Sequence, residues 1–122
     1  MSEQQSPSPT PPAIHEAPAT VDPRQFTSFG QFYPYYLREH SNRNCRRLHF
    51  VGSSIALVCL IAVVITGHAV WLAMALLAGY GLAWIGHFVF EKNRPASFKR
   101  PLYSFRGDWV MWRDMLRGKI PF

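Results

Sequence analysis

Residues 50–90 read FVGSSIALVCLIAVVITGHAVWLAMALLAGYGLAWIGHFVF, 41 positions without one Asp, Glu, Lys or Arg, while all 20 formally charged side chains of the 122-residue chain lie outside them. A water-soluble domain of this size has too little other apolar material to wrap such a block, so the stretch predicts a membrane segment. A bilayer core of about 30 Å takes ~20 helical residues, and one straight crossing cannot absorb the run. The chain must turn back once. Gly67 and His68 are the natural break, which gives spanning helices over about 48–66 and 69–90 joined by a tight turn.

The charges on either side set the expected orientation. Arg38, Arg43, Arg46 and Arg47 precede the first span, Lys92, Arg94, Lys99, Arg100 and Arg106 follow the second, and the turn carries no Lys or Arg. By the positive-inside rule this predicts an integral membrane protein with two spans and both termini cytoplasmic. The net charge of +6 points to anionic headgroups of membrane lipids as partners and not to nucleic acid, because the cations flank an apolar block and no nucleic-acid module surrounds them. Cys45 and Cys59 are 14 positions apart, about 21 Å along a helix, too far for an intramolecular disulfide.

Further out, residues 1–25 hold six of the ten prolines among Ser, Ala and Gln, and are expected to form a disordered tail. Residues 26–120 form the expected membrane domain. In FTSFGQFYPYYLREH (26–40), Phe29, Phe32, Tyr33 and Tyr36 share one helical face behind a Ser28/Gln31 capping pair, predicting an amphipathic helix over about 28–40 lying in the headgroup layer. Residues 91–106, interrupted by Pro95 and Pro101, read as a loop. Residues 107–117, with Trp109, Trp112, Arg113 and Leu116 at helical spacing, read as a second interfacial helix. The expected fold is an all-α membrane protein, a transmembrane helical hairpin flanked by two interfacial amphipathic helices.

Polar side chains inside a bilayer helix are costly and need a reason. On the second span Tyr80, Trp84, His87 and Glu91 fall at i, i+4, i+7 and i+11, one face of an α-helix; on the first, Cys45, His49 and Ser53 share a face at its entrance. In a hairpin these two ends stand at one depth, so His49, His87 and Glu91 can converge. His40, nine residues before His49, joins them if the chain bends between Ser41 and Asn44. Neutral imidazoles with a carboxylate and open positions suit non-haem Fe(II), and zinc accepts the same ligands. His68 belongs to the opposite end. Cys45 reads as a small packing residue, and Arg43, Arg46 and Arg47 as a topology signal that also grips phosphates. Gly79, Ala83 and Gly86 form a small-residue face for close helix contact, within the hairpin or in a homodimer.

The segments NRNCRRLHFVG (42–52) and WIGHFVFEKNRPA (84–96) resemble the Mpo1-like family of small integral membrane proteins, formerly a domain of unknown function, which includes a fungal 2-hydroxy fatty acid dioxygenase. The resemblance covers about residues 26–120 and rests on His40, His49, Gly52, Gly86, His87, Glu91, Pro95 and Ala96. Longer members of that family carry Asn where this chain has Cys45, and add two further hydrophobic segments. The resemblance implies a membrane-embedded Fe(II) dioxygenase that shortens 2-hydroxy fatty acids by one carbon. His40, His49, His87 and Glu91 would be its metal-binding and catalytic residues, Glu91 as a fourth ligand or as the acceptor that fixes the His87 tautomer, and Arg43, Arg46 or Arg47 would meet the carboxylate of a fatty acyl substrate. The alternative is a non-enzymatic integral membrane protein whose His/Glu cluster is structural and which binds lipid or a partner protein.

Overall fold

The computed structural model describes residues 21–122, and every regular element among them is helical. The expected tail lies largely outside the described residues; within them Pro23–Gln25 form a single 3-10 turn with Pro23 buried. Helix α1 spans Phe29–Arg38, α2 Arg43–Thr66, α3 Val70–Ile85 and α4 Pro101–Leu116.

The hairpin is α2 against α3. Gly67 closes α2 in the left-handed conformation (φ 69°), its N–H donating to the Val63 carbonyl at 2.8 Å, a stop that a glycine adopts without strain. Close approach of the two helices needs small residues. A Cβ at Gly52 would stand 3.0 Å from the Ala78 carbonyl oxygen, and one at Gly86 3.2 Å from the Cα of Cys45. The face of Gly79, Ala83 and Gly86 is thus used inside the hairpin. The outer faces are apolar and bare, with Val64 86% and Leu77 77% exposed. In water that surface would be prohibitive; in lipid it is the ordinary exterior of two helices long and apolar enough to cross a membrane.

Three boundaries differ from those expected. Helix α2 starts five residues earlier, at Arg43, because the Asn42 side chain accepts from the N–H groups of Asn44 and Cys45 and caps it. The second span does not end as an α-helix: Gly86–Glu91 are wound as a π-helix. Helix α4 begins within the supposed loop, since Pro101 occupies its first turn, where a missing N–H costs nothing.

Helices α1 and α4 pack on each other at the open end of the hairpin. Phe32 (0% exposed) and Tyr36 (1%) of α1 are buried among Ala96, Met111 and Met115, and a Cβ at Gly107 would meet the Tyr36 ring at 3.0 Å. The aromatic face of α1, expected in the headgroup layer, is therefore covered by α4. At the start of α1 the Ser28 hydroxyl accepts from the Gln31 N–H, as its spacing suggested, while the Gln31 side chain reaches back to the Thr27 N–H. Trp112 docks this cap onto the hairpin through an Nε1–H donated to Ser54 Oγ at 3.0 Å.

Candidate metal centre

Three imidazoles meet where the cap joins the hairpin. His40 sits in the break between α1 and α2, His49 lies on α2 and His87 in the π segment; they are 1%, 5% and 1% exposed. The Nε2 of His40 is 2.9 Å from that of His87 and 3.1 Å from that of His49.

What lies behind each ring decides what its Nε2 carries. The Nδ1–H of His40 donates to the Tyr36 carbonyl at 2.6 Å, and a carbonyl only accepts. His87 Nδ1 stands 2.7 Å from Asn93 Oδ1, while the Asn93 amide hydrogens are taken by the Glu39 carbonyl (3.2 Å) and the Glu39 carboxylate (2.7 Å); the oxygen therefore faces His87, whose Nδ1 is the donor. His49 Nδ1 is 3.6 Å from Asp108 Oδ1. The His40 and His87 protons are held outward on Nδ1, leaving two Nε2 lone pairs facing each other at 2.9 Å with no hydrogen between them, while His49 turns its Nε2 to the same point with the Asp108 carboxylate behind it, beyond hydrogen-bond reach. That arrangement repels itself and calls for a cation. With metal–nitrogen bonds of about 2.1 Å, two nitrogens at right angles stand about 3 Å apart, which fits the separations seen. The donor set meets the demands of a divalent metal, and outward partners of this kind orient metal-binding histidines generally.

The electrostatics agree. Burial, reinforced by the neighbouring His49 and His87 rings, holds the His40 pKa well below its usual value, so the ring is a neutral donor at pH 7. Burial, followed by the nearby Asp108, raises the Tyr36 phenol well above its ordinary range; it keeps its proton and donates it to Asp108. Asp108 itself is pushed up by burial, opposed by that Tyr36 bond.

The other candidates fall in different places. Cys45 joins the cluster: its Sγ and the three histidine nitrogens all lie within 4.8 Å of one another. Glu91 stays outside that group. Its carboxylate accepts from the Asn42 N–H and, at 3.3 Å, from the Ser41 hydroxyl, so it closes the chain reversal before α2. The π winding explains this, because each residue turns through less than the α-helical 100 degrees and the fourth residue after His87 swings off its face. Arg46 donates to the carbonyls of His40 (3.1 Å) and Ser41 (2.7 Å), Arg43 Nε donates to the Phe122 carbonyl (2.7 Å), and the Arg47 guanidinium lies over the Phe122 ring. His68 is exposed in the far turn.

Sequence reasoning missed Asn93, Tyr36 and Asp108 as partners of the cluster. Asn93 lies inside the 84–96 motif and was discoverable as a polar residue six positions beyond His87. Asp108 had no local signal, since its role depends on α4 folding back over α2. Two spaces adjoin the histidines. A small one of about 20 Å³, room for about one water-sized molecule, is bounded by the three rings, Tyr80 and Trp84; a larger one of about 230 Å³ runs from His49 and Asp108 along the hairpin.

Comparison with curated proteins and with solved structures returned no match. A family model described as 2-hydroxy-palmitic acid dioxygenase Mpo1-like does match, over residues 26–120, a span that takes in all three histidines, Glu91, Asn93 and Asp108. On the strength of that coverage the chain belongs to the Mpo1-like family.

Proposed function

We propose that this protein is a membrane-embedded, non-haem Fe(II) dioxygenase acting on 2-hydroxy fatty acids or a closely related lipid. The observation that carries the reading is the convergence of three buried imidazoles on one point, two of them anchored through Nδ1, in a member of the 2-hydroxy-palmitic acid dioxygenase Mpo1-like family. Iron bound there would activate dioxygen and accept electrons from the substrate. The overall conversion balances with dioxygen alone: a 2-hydroxy acid and one O2 give the acid one carbon shorter, one CO2 and one water. The bond broken joins the carboxyl carbon to the carbinol carbon, and the carbinol carbon becomes the new carboxyl.

The chain's own residues have defined tasks in this scheme. Tyr36 and Asn93 hold the protons of His40 and His87 on Nδ1, so that those Nε2 atoms stay donors, and Asp108 places a carboxylate behind His49. Arg46 acts through the loop, pinning the carbonyls that fix His40. Arg43 and Arg47 keep the rim positive and draw an anionic head to the site, be it a fatty acid carboxylate or a lipid headgroup. The hairpin admits the apolar chain from the bilayer and keeps bulk water from the rings. Zinc fits the same donors, so the metal needs direct determination.

The deciding experiment is metal analysis of anaerobically purified protein, followed by dioxygen uptake and product analysis with a long-chain 2-hydroxy acid. We expect about one iron per chain and an acid product one carbon shorter. Bound iron without turnover of any 2-hydroxy acid would overturn the activity. Protein without metal, and unable to bind it, would favour a non-enzymatic membrane protein with a structural histidine cluster.

A further inference from the structure

The larger cavity has a polar end and an apolar end. His49 and Asp108 stand at one end, Phe105 and Trp109 of α4 contribute to the lining, and past Ser53 the walls are apolar. Along α2 the wall is His49, Ser53, Ala56 and Leu60, spaced i, i+4, i+7 and i+11, a straight stripe of about 16 Å. The facing wall on α3 runs the other way, from Tyr80 beside the histidines to Leu72 at the far end. The concavity exists because its middle is made of alanines: Ala56 and Ala75 leave room where leucines would fill it.

Resting on the proposed function, we infer that this groove holds the acyl chain of the substrate, its methyl end pointing away from the histidines, and that Leu60 and Leu72 set the chain length accepted. Three features specify that occupant. The polar groups are confined to the metal end, so the ligand carries its head there and nothing polar beyond. The groove lies within segments fit to span a membrane and opens sideways onto their lipid-facing surface, the direction from which an acyl chain arrives. The lining runs as a single stripe of about 16 Å along α2 over a floor of the buried Ala56 and Ala75, the shape of one extended unbranched chain.

Leu60 and Leu72 are 37% and 47% exposed toward lipid, so they can be changed without opening a packed core. The test uses zinc-loaded protein, which holds the site without consuming the ligand, and measures displacement of a fluorescent fatty acid by straight-chain 2-hydroxy acids of increasing length. Leu60→Trp and Leu72→Trp should each weaken the longest members by about tenfold, the worth of roughly two buried methylenes, and leave the short ones as in wild type. Leu60→Ala should extend the preferred length. Identical length profiles in wild type and all three variants, or no displacement at any length, would overturn the groove. Dioxygen uptake on iron-loaded protein separates the two ideas. A shifted binding profile without turnover keeps the groove and removes the activity; turnover with an unshifted profile does the reverse.

Discussion

At the scale of single residues, the histidine centre depends as much on what holds the rings as on the rings. His87 is fixed through Asn93, which is fixed in turn by Glu39, whose carboxyl pKa is raised by burial and held down by that same Asn93 bond. We expect Asn93→Ala to weaken metal binding by about 10–100-fold while His87→Ala abolishes it, both measured by competition with a chelating indicator. Asp108→Asn keeps the shape but removes the charge behind His49, and falls in the same range. Glu91→Gln is the contrasting case. It should retain metal at wild-type stoichiometry and lose about 1 kcal/mol of stability, because the carboxylate serves the Asn42 N–H and not the cluster. Loss of metal in that variant would restore Glu91 as a ligand. The three histidines were legible in the sequence because a hairpin places its two open ends at one depth. Cys45 was legible only as a packing residue; it is that, lying under Gly86, and its sulfur also belongs to the donor group.

At the scale of elements, periodicity reveals a helix face only while the winding stays regular. The two spans and the turn at Gly67 were readable from an uncharged run of fixed length. The π segment was not, since no residue type in Gly86–Glu91 signals the wider winding; what accompanies it is the close approach of Gly86 to Cys45. Gly86→Ala tests whether that contact sets the winding. A Cβ there would lie 3.0 Å from Cys45 Sγ and 3.2 Å from its Cα, and backbone has no room to yield cheaply. We expect a loss of about 1–3 kcal/mol in thermal unfolding and, because His87 is the next residue, weakened metal binding in the protein that remains folded. The start of α4 was misread for a related reason. Pro101 reads as a breaker, yet a proline in the first turn begins helices as readily as it ends them. The apolar face of α1 is legible in the sequence, but amphipathicity names no partner: Phe32 and Tyr36 are covered by Met111 and Met115, a pairing 75–83 residues apart in sequence that no local pattern encodes.

At the scale of the whole molecule, contacts and charge make separate statements about topology. Contact places both flanks at one end of the hairpin: Trp112 donates to Ser54 near the start of α2, Asn93 reaches Glu39, and Tyr36 donates to Asp108. No arrangement with α1 and α4 on opposite sides of a bilayer preserves those bonds. Contact alone cannot say which side that is. The cations choose it, since the flanks of the two spans are rich in Lys and Arg and the turn has none, which predicts the cap and both termini on the cytoplasmic face. The native cysteines are both buried and free, so introduced ones can be labelled against a low background. A membrane-impermeant maleimide added to intact cells should modify His68→Cys in the exposed turn and leave Arg94→Cys untouched until the membrane is opened. The reverse pattern would leave the hairpin and its histidine centre intact but invert the protein, presenting the positive rim to the outer side. Labelling of both variants from one side in sealed membranes would be graver: the helices would then not cross at all, and the acyl chain would have no lateral route into the groove.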